Sequence, residues 1–341
     1  MGCLGTWPVW QVGADSATLA KNEGLRPLSA LLRREVELGH VVRQELASMI
    51  PALLLKISSH HNVLDVCAAP GSKTEQLLLL LRAATPPGEV CSGMVVANDA
   101  DPVRINTLRK RYARCGSANL LVTCSRAEDL QKVIAHSQLG GGKSGAKSDG
   151  GGGKSGGVFD RIIADVPCSG DGTIRKFPHI WRLFRPRMAL ELHVVQLQIA
   201  VASALLLRPG GRMIYSTCSI NPLEDEAVVA ALLEHFQGQL VLVNTRQDGE
   251  GLLPQLVTRP GLHTWDCSPE TFTKGEPDDE ARAASLARLP TIRDSMHPPS
   301  QARAAQLHLE YCHRILPQDN DSGGFFVAVL ELLERKGTEG P

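Results

Sequence analysis

Two cysteines of this chain sit where chemistry is expected. Cys168 lies in Asp165-Val166-Pro167-Cys168-Ser169-Gly170 and Cys218 in Tyr215-Ser216-Thr217-Cys218-Ser219, and each follows an apolar run that reads as a buried parallel strand. Ligand sites in open α/β sheets lie beyond such strand ends, so both thiols point to one crevice. Asp165, three residues ahead of Cys168, joins them there. Two thiols with an adjacent acid are equipped for covalent attack on an electrophilic carbon. The bland alternative is a pair of small buried hydrophobes, the usual fate of isolated cysteines. The pairing and the aspartate weigh against it.

A second constellation lies earlier. After Val63-Leu64-Asp65-Val66 come Cys67, Ala68, Ala69, Pro70, Gly71, Ser72, Lys73 and Thr74, small residues that turn from strand directly into helix. Small side chains let a ligand approach the backbone. The spacing is not that of the dinucleotide fingerprint G-x-G-x-x-G, but Asp99 closes the next strand, where a carboxylate can hold a ribose hydroxyl pair. A nucleoside-bearing cofactor is the expected occupant. Lys73 stands in the first helical turn, where the helix dipole disfavours a cation, which marks it as functional.

These residues need a sheet to bring them together. From Asn62 onward short β-branched runs alternate with amphipathic stretches, the pattern of an α/β fold with a parallel sheet covered on both faces. Strands are expected at Asn62 to Cys67, Gly93 to Asn98, Leu120 to Cys124, Arg161 to Val166, Arg212 to Thr217, Leu240 to Val243 and Gly324 to Leu330. A helix is expected from Met188 to Leu207, stopped by Arg208-Pro209-Gly210-Gly211, and another begins near Pro222 with Glu224, Asp225 and Glu226 in its first turn. Glu35 to Leu55 reads as one or two helices broken at Pro51.

The organisation follows. Residues 1–55 form a partly helical N-terminal extension and 56–246 the core, with a Gly-rich insertion at 138–157. Residues 247–305 make a surface excursion, 306–333 return a strand that completes the core, and 334–341 are a tail. The insertion has nothing to bury, and its two Gly-Lys-Ser triplets lack the glycine and preceding strand of a phosphate loop.

Composition narrows the classes. The 341 residues are 43% hydrophobic and 21% charged with a formal net charge of +0, so any nucleic-acid contact must be a local patch. The nine cysteines are an odd number with no C-x-x-C pair, which argues against a disulfide framework or structural zinc and for a reducing compartment. No run approaches 18 consecutive apolar residues and no secretory pattern opens the chain, so neither a membrane nor a metal is expected.

The motifs DVCAAPGSKT at 65–74, ADVPCSGDGT at 164–173 and YSTCSINPLEDEAVV at 215–229 resemble the NSUN family of RNA (cytosine-5)-methyltransferases. The likeness extends to Arg43-Gln44-Glu45 through Pro51, to LHLEYCHRILP at 307–317 and to GGFFVAVL at 323–330. Within the family it is nearest the eukaryotic tRNA-modifying enzymes. The resemblance implies a Rossmann-like class I methyltransferase sheet. It implies S-adenosylmethionine as cofactor, held by the Cys67 to Lys73 turn, Asp99 and Asp165. Relatives usually carry an aspartate just after the third strand; this chain has Ser125, which leaves adenine recognition to Ser125, Glu128 or Asp129.

Carbon 5 of cytosine is a poor nucleophile, so its methylation requires a covalent adduct at carbon 6. The resemblance assigns that attack to Cys218 and the release of product to Cys168; the residues alone leave the split open. Asp165 would act at ring nitrogen 3, and Lys73 would lower a thiol pKa and orient the base. The base must leave its stack, so the partner is an extruded or single-stranded cytosine of RNA, with tRNA favoured. Basic patches for its backbone are Arg104, Arg109, Lys110, Arg111 and Arg114 on one helix, and Arg175, Lys176, Arg182, Arg185 and Arg187 around Trp181. Residues 1–34 are too short to supply a further RNA-binding module. A monomer in the nucleus or cytoplasm is expected by the same analogy. The rivals are the same chemistry on rRNA or another RNA, a DNA cytosine methyltransferase using Pro167-Cys168, a small-molecule methyltransferase, and a catalytically decayed RNA-binding protein.

Overall fold

The computed structural model describes residues 2–4, 7–9, 16–38, 40–113, 117–136, 157–246, 256–273 and 278–334. Arg114 and nearly all of the Gly-rich insertion lie outside the described residues. Two short strands, β1 (Gly2–Leu4) and β2 (Trp7–Val9), pair antiparallel, and helices α1 (Ser16–Lys21), α2 (Arg26–Glu37) and α3 (Leu46–Leu54) follow. The chain breaks between α2 and α3 and not at Pro51, which sits buried inside α3. The helix persists through the proline because Ala47, Ile50, Ala52 and Leu54 pack into the core on either side of it.

The core is a nine-stranded sheet. Five strands are parallel, β3 (Asn62–Asp65), β4 (Met94–Asp99), β5 (Leu120–Cys124), β6 (Phe159–Asp165) and β7 (Leu207–Thr217), in the order β5-β4-β3-β6-β7. The crossovers carry α4 (Ser72–Ala83), α5 (Pro102–Tyr112), α6 (Leu130–His136), the single turn α7 (Ile180–Leu183) and α8 (Met188–Leu205). After α9 (Glu226–Phe236) the sheet grows antiparallel: β8 (Leu240–Leu242), β9 (Arg259–Pro260), β10 (His313–Ile315) and β11 (Phe325–Leu332). Helices α10 (Asp279–Ala287), α11 (Gln301–Leu307) and α12 (Pro317–Asn320) lie in the connections between β9 and β11.

Alternation explains why both faces are covered. Leu64, Ile162, Met213, Tyr215 and Ala328 point to one side, where they meet Ile199 and Ala200 of α8 and Val229 and Leu232 of α9. Their neighbours Val63, Ile163, Ile214 and Val327 point to the other, against Ile50 and Leu54 of α3 and Leu77 and Leu81 of α4. A strand buried on both faces must be apolar at successive positions, which is why these runs read as continuous. Each such aliphatic side chain contributes about 1.5–3 kcal/mol on burial.

Two boundaries differ from expectation for physical reasons. Helix α8 stops at Leu205 and β7 already begins at Leu207; residues 208–211 form a bulge in the register against β6, with Gly210 at φ 73°. Helix α9 starts at Glu226, not near Pro222, because residues 222–225 form a turn whose acids are drawn inward. Helix α8 is long and apolar enough to cross a membrane by length and composition, although it carries Glu191, His193 and Gln196 and packs on the sheet through Ile199, Ala200 and Ala204.

The chain runs outward from β3 through β4 to β5, then returns to β6 on the opposite side of β3. That reversal opens a crevice at the carboxyl ends of β3 and β6, the place where open α/β sheets take ligands.

Candidate active site at the sheet switch point

Backbone pairing puts the two cysteines together before any side chain is considered. Asp165 of β6 pairs with Ser216 of β7, so Cys168 and Cys218 emerge side by side just beyond the two strand ends. Their Sγ atoms lie 3.2 Å apart. The loops are stitched by backbone: the Gly172 N–H donates to Cys218 O at 3.0 Å, and the Gly324 N–H donates to Gly172 O at 2.7 Å. A Cβ on Gly172 would meet Gly324 O at 2.6 Å and Cys218 O at 2.7 Å, so only glycine allows three chain segments to close around the thiols.

The hydrogen bond with Cys218 and then burial push the Cys168 thiol well above its usual range. Lys73, expected to depress a thiol, does not act there. Its Nζ donates to Asp165 Oδ2 at 2.7 Å and lies 5.3 Å from the centroid of the Phe325 ring. Asp165 Oδ1 accepts from Ser216 Oγ at 2.8 Å. Lys73 is therefore an anchor for the aspartate.

The turn after β3 is built for close approach. The peptide between Ala69 and Pro70 is cis, and Gly71 sits at φ 107°, where a Cβ would press on the Tyr112 ring at 3.1 Å. Tyr112 Oη donates to Gly71 O at 2.6 Å, and α4 begins at Ser72 with Lys73 in its first turn. Asp99, 3% exposed at the end of β4, accepts from Ala69 N at 3.1 Å and from Asp101 N at 3.0 Å. Arg104 holds Ala69 O and stands 3.5 Å from Asp99 Oδ2. Burial pushes the Cys67 thiol up, so this third cysteine is a wall of the turn and not a nucleophile.

Ser125 lies beside Asp99: its N–H donates to Asp99 O at 3.2 Å, and its carbonyl accepts from Asn98 Nδ2 at 2.9 Å. Glu128 is paired with Arg126 and Asp129 with Lys132, each at 3.0 Å, which leaves Ser125 as the residue the structure brings to the turn. On α5, Arg104 is committed to the turn and Arg111 to Glu75, so that helix offers exposed Arg109 and Lys110 as its basic surface. The second patch is exposed at Arg175, Lys176, Arg182, Arg185 and Arg187, with Trp181 75% exposed at its centre. Arg175 meets Asp321 and Lys176 stands 3.5 Å from Glu45.

The sequence reading missed Asp65 and Glu224. Asp65 is fully buried at the end of β3; Thr74 Oγ1 donates to its Oδ2 at 2.7 Å, and its Oδ1 has no partner among the described residues. A charged residue inside an otherwise apolar run was the available signal. An unpartnered acceptor beneath a turn of small residues, with Asp99 close by, fits a ligand that brings donors and a ribose, as a nucleoside cofactor does. Among the described residues no group of three or more His, Cys, Asp or Glu is placed to hold a metal.

Burial lifts the Asp65 carboxyl to about 7, from an ordinary 3.8. The folded chain then keeps a proton that the unfolded chain releases. The stabilisation from this group is complete below about pH 4 and is lost as pH rises through 7, on the order of 4 kcal/mol in all. Asp65→Asn, which cannot ionise, is expected to flatten the fall in the urea midpoint between about pH 4 and 7. An unaltered slope would show that Asp65 titrates like an exposed carboxylate.

Comparison with known proteins places this geometry in a family. The family model described as 16S rRNA methyltransferase RsmB/F matches residues 52–255. The multisite-specific tRNA:(cytosine-C(5))-methyltransferase of Saccharomyces cerevisiae is 38% identical over 325 residues, 95% of this chain and 43% of the relative. The tRNA (cytosine(34)-C(5))-methyltransferase of Drosophila melanogaster is 38% identical over 336 residues, 96% of this chain and 42% of the relative. The chain thus spans less than half the length of either. Among solved structures, a methyltransferase homolog protein from Pyrococcus horikoshii superposes with a TM-score of 0.57 at 23% identity, covering 88% of this chain and 70% of that one, a likeness of fold. With the family model covering more than half of its residues, thiol loops included, the chain belongs to the RsmB/F methyltransferase family.

Proposed function

We propose that this chain methylates carbon 5 of cytosine in RNA, most readily tRNA, using S-adenosylmethionine. The observation that carries this reading is the thiol pair, 3.2 Å apart and beside the Lys73–Asp165 pair at the switch point. The names of the two relatives above supply the substrate class. When bound, the cofactor supplies the methyl group. The Cys67 to Ser72 backbone would cradle it, Asp99 would take its ribose hydroxyls, Ser125 would flank its base, and Asp65 Oδ1 would accept a donor from it.

The two thiols divide the work as the family resemblance implies. Cys218 gives its proton to water, its thiolate forms the Sγ–C6 bond, and the displaced C5=C6 electrons shift into the ring to leave carbon 5 as an enamine carbon. Nitrogen 3 takes up a proton from water as this happens, and the Asp165 carboxylate accepts a hydrogen bond from the resulting N–H. Both Asp165 oxygens already serve as acceptors, which favours this role over proton donation. After carbon 5 gains the methyl group, Cys168, having released its own proton to water, takes the carbon 5 proton; the C5–H electrons restore the C5=C6 bond, the Sγ–C6 bond breaks with Cys218 leaving as thiolate, and nitrogen 3 returns its proton to water.

The exposed basic surface around Trp181 would hold the RNA, with the indole stacking on a base next to the extruded cytosine. Transfer of tritiated methyl groups to tRNA, rRNA and matched DNA oligonucleotides tests the assignment: incorporation into tRNA at cytosine is expected, and incorporation only into DNA would defeat it. In the same assay Trp181→Ala is expected to raise the KM for tRNA about tenfold or more, as loss of one stacking contact does. The KM for the cofactor should stay unchanged.

A further inference from the structure

Glu224 is fully buried in the turn before α9, and none of its partners among the described residues is a cation. Its carboxylate accepts four hydrogen bonds instead. The Ser169 N–H donates to Oε2 at 2.8 Å and Ser169 Oγ to Oε1 at 2.5 Å. Ser219 Oγ donates to Oε1 at 3.1 Å, and Gln196 Nε2 to Oε2 at 3.0 Å. Gln196 also donates to Pro167 O at 2.9 Å, and Tyr215 Oη donates to the Glu224 carbonyl at 2.5 Å.

The partners are not scattered. Ser169 is the residue after Cys168 and Ser219 the residue after Cys218, so one carboxylate grips the chain beside each thiol. A buried acid is retained only where donors compensate its lost hydration. Here the compensating donors come from the two loops that must stay in register. An exposed acid at a helix start would serve the dipole, but Glu224 lies ahead of the helix and faces inward.

We propose that Glu224 is a positioning residue that clamps the Cys168 and Cys218 loops together and so holds the two thiols in contact. The clamp rests on the proposed methyl transfer for its purpose, though not for its geometry. Misplacing one reacting group by about an ångström lowers rates on the order of a hundredfold, and a cytosine must meet both sulfurs in a single encounter. Glu224→Ala removes the grip on both loops. Glu224→Gln keeps part of it, because the two serine hydroxyls can rotate to accept from the new amide.

The test reads the thiols directly. With diamide, Cys168 and Cys218 give up two protons and two electrons to form a disulfide while the diamide becomes the hydrazine; mass spectrometry follows the rate in the full chain. Glu224→Ala is expected to slow this closure about tenfold or more, Glu224→Gln distinctly less, with S-adenosylhomocysteine binding unchanged in both. On tRNA carrying 5-fluorocytosine, the alanine variant should form covalent adduct more slowly at saturating cofactor. An unchanged disulfide rate in Glu224→Ala overturns the clamp, as does a slowing matched in every variant by loss of cofactor binding, which would make Glu224 general support for the fold. If the parent chain transfers no methyl group while the disulfide contrast persists, the functional reading fails and the clamp stands.

Discussion

Cys218→Ala is expected to abolish methyl transfer, a loss on the order of 10⁴-fold or more, as for other enzymes stripped of their nucleophile. Cofactor affinity should be unchanged, because the cofactor turn lies after β3 and the thiols after β6 and β7. Cys168→Ala is expected to lose turnover differently. Attack still proceeds, release fails, and a protein–RNA adduct accumulates that migrates slowly on a denaturing gel. The contrast follows from the separate tasks proposed for two thiols that lie 3.2 Å apart. Slow-migrating adduct in the Cys218 variant, with none in the Cys168 variant, would reverse the two assignments.

Asp165→Asn is expected to lower kcat by roughly 10²–10³-fold, the range associated with removing one group that stabilises charge developing in the reaction. The amide keeps the shape but removes the negative charge that Lys73 Nζ meets at 2.7 Å, with the two side chains only 11% and 27% exposed. Lys73 is then left mostly buried without its counter-charge, so a fall in stability should accompany the loss of rate. The diagnostic measurement is adduct formation on 5-fluorocytosine RNA at saturating cofactor. Asp165 acts while the thiolate adds, so adduct should form slowly. Adduct at the parent rate with poor turnover would move Asp165 to the release step.

Much of the fold was legible because parallel strands buried on both faces must be apolar at successive positions, and Val63-Leu64 and Ile162-Ile163 are. The C-terminal half was less legible. Strands β9 and β10, which were not expected, are two and three residues long, and the bulge at 208–211 is a matter of register that no local pattern encodes. The family likeness read from three motifs is borne out by the family match across residues 52–255. The individual site roles rest on geometry and remain for the variants above.

The errors share one cause. Glu224 and Asp225 read as helix-dipole acids because sequence shows charge and not direction; Glu226 does stand in the first turn of α9. In the fold Glu224 meets Ser169 and Ser219, Asp225 meets Thr217, and Glu226 also meets the distant Arg314. Lys73 read as a partner for a thiol because it was the nearest cation in the crevice; pairing across 92 positions gave it to Asp165. Arg104 and Arg111 read as RNA-facing; in the fold Arg104 stays half-exposed while it contacts Ala69, and Arg111 is paired with Glu75.

By itself the sequence determined the alternation of strands and helices, the small-residue turn at 67–72, and the presence of a cysteine just past each of two strands. Those are local properties, set by side-chain size, polarity and spacing. The tertiary structure alone decided that the two sulfurs touch, that burial and the contact with Cys218 raise the Cys168 thiol, and that a single buried carboxylate meets both of their loops. Each depends on segments about 50 residues apart meeting in a low-dielectric interior, where burial and partners reset a group's charge and orientation.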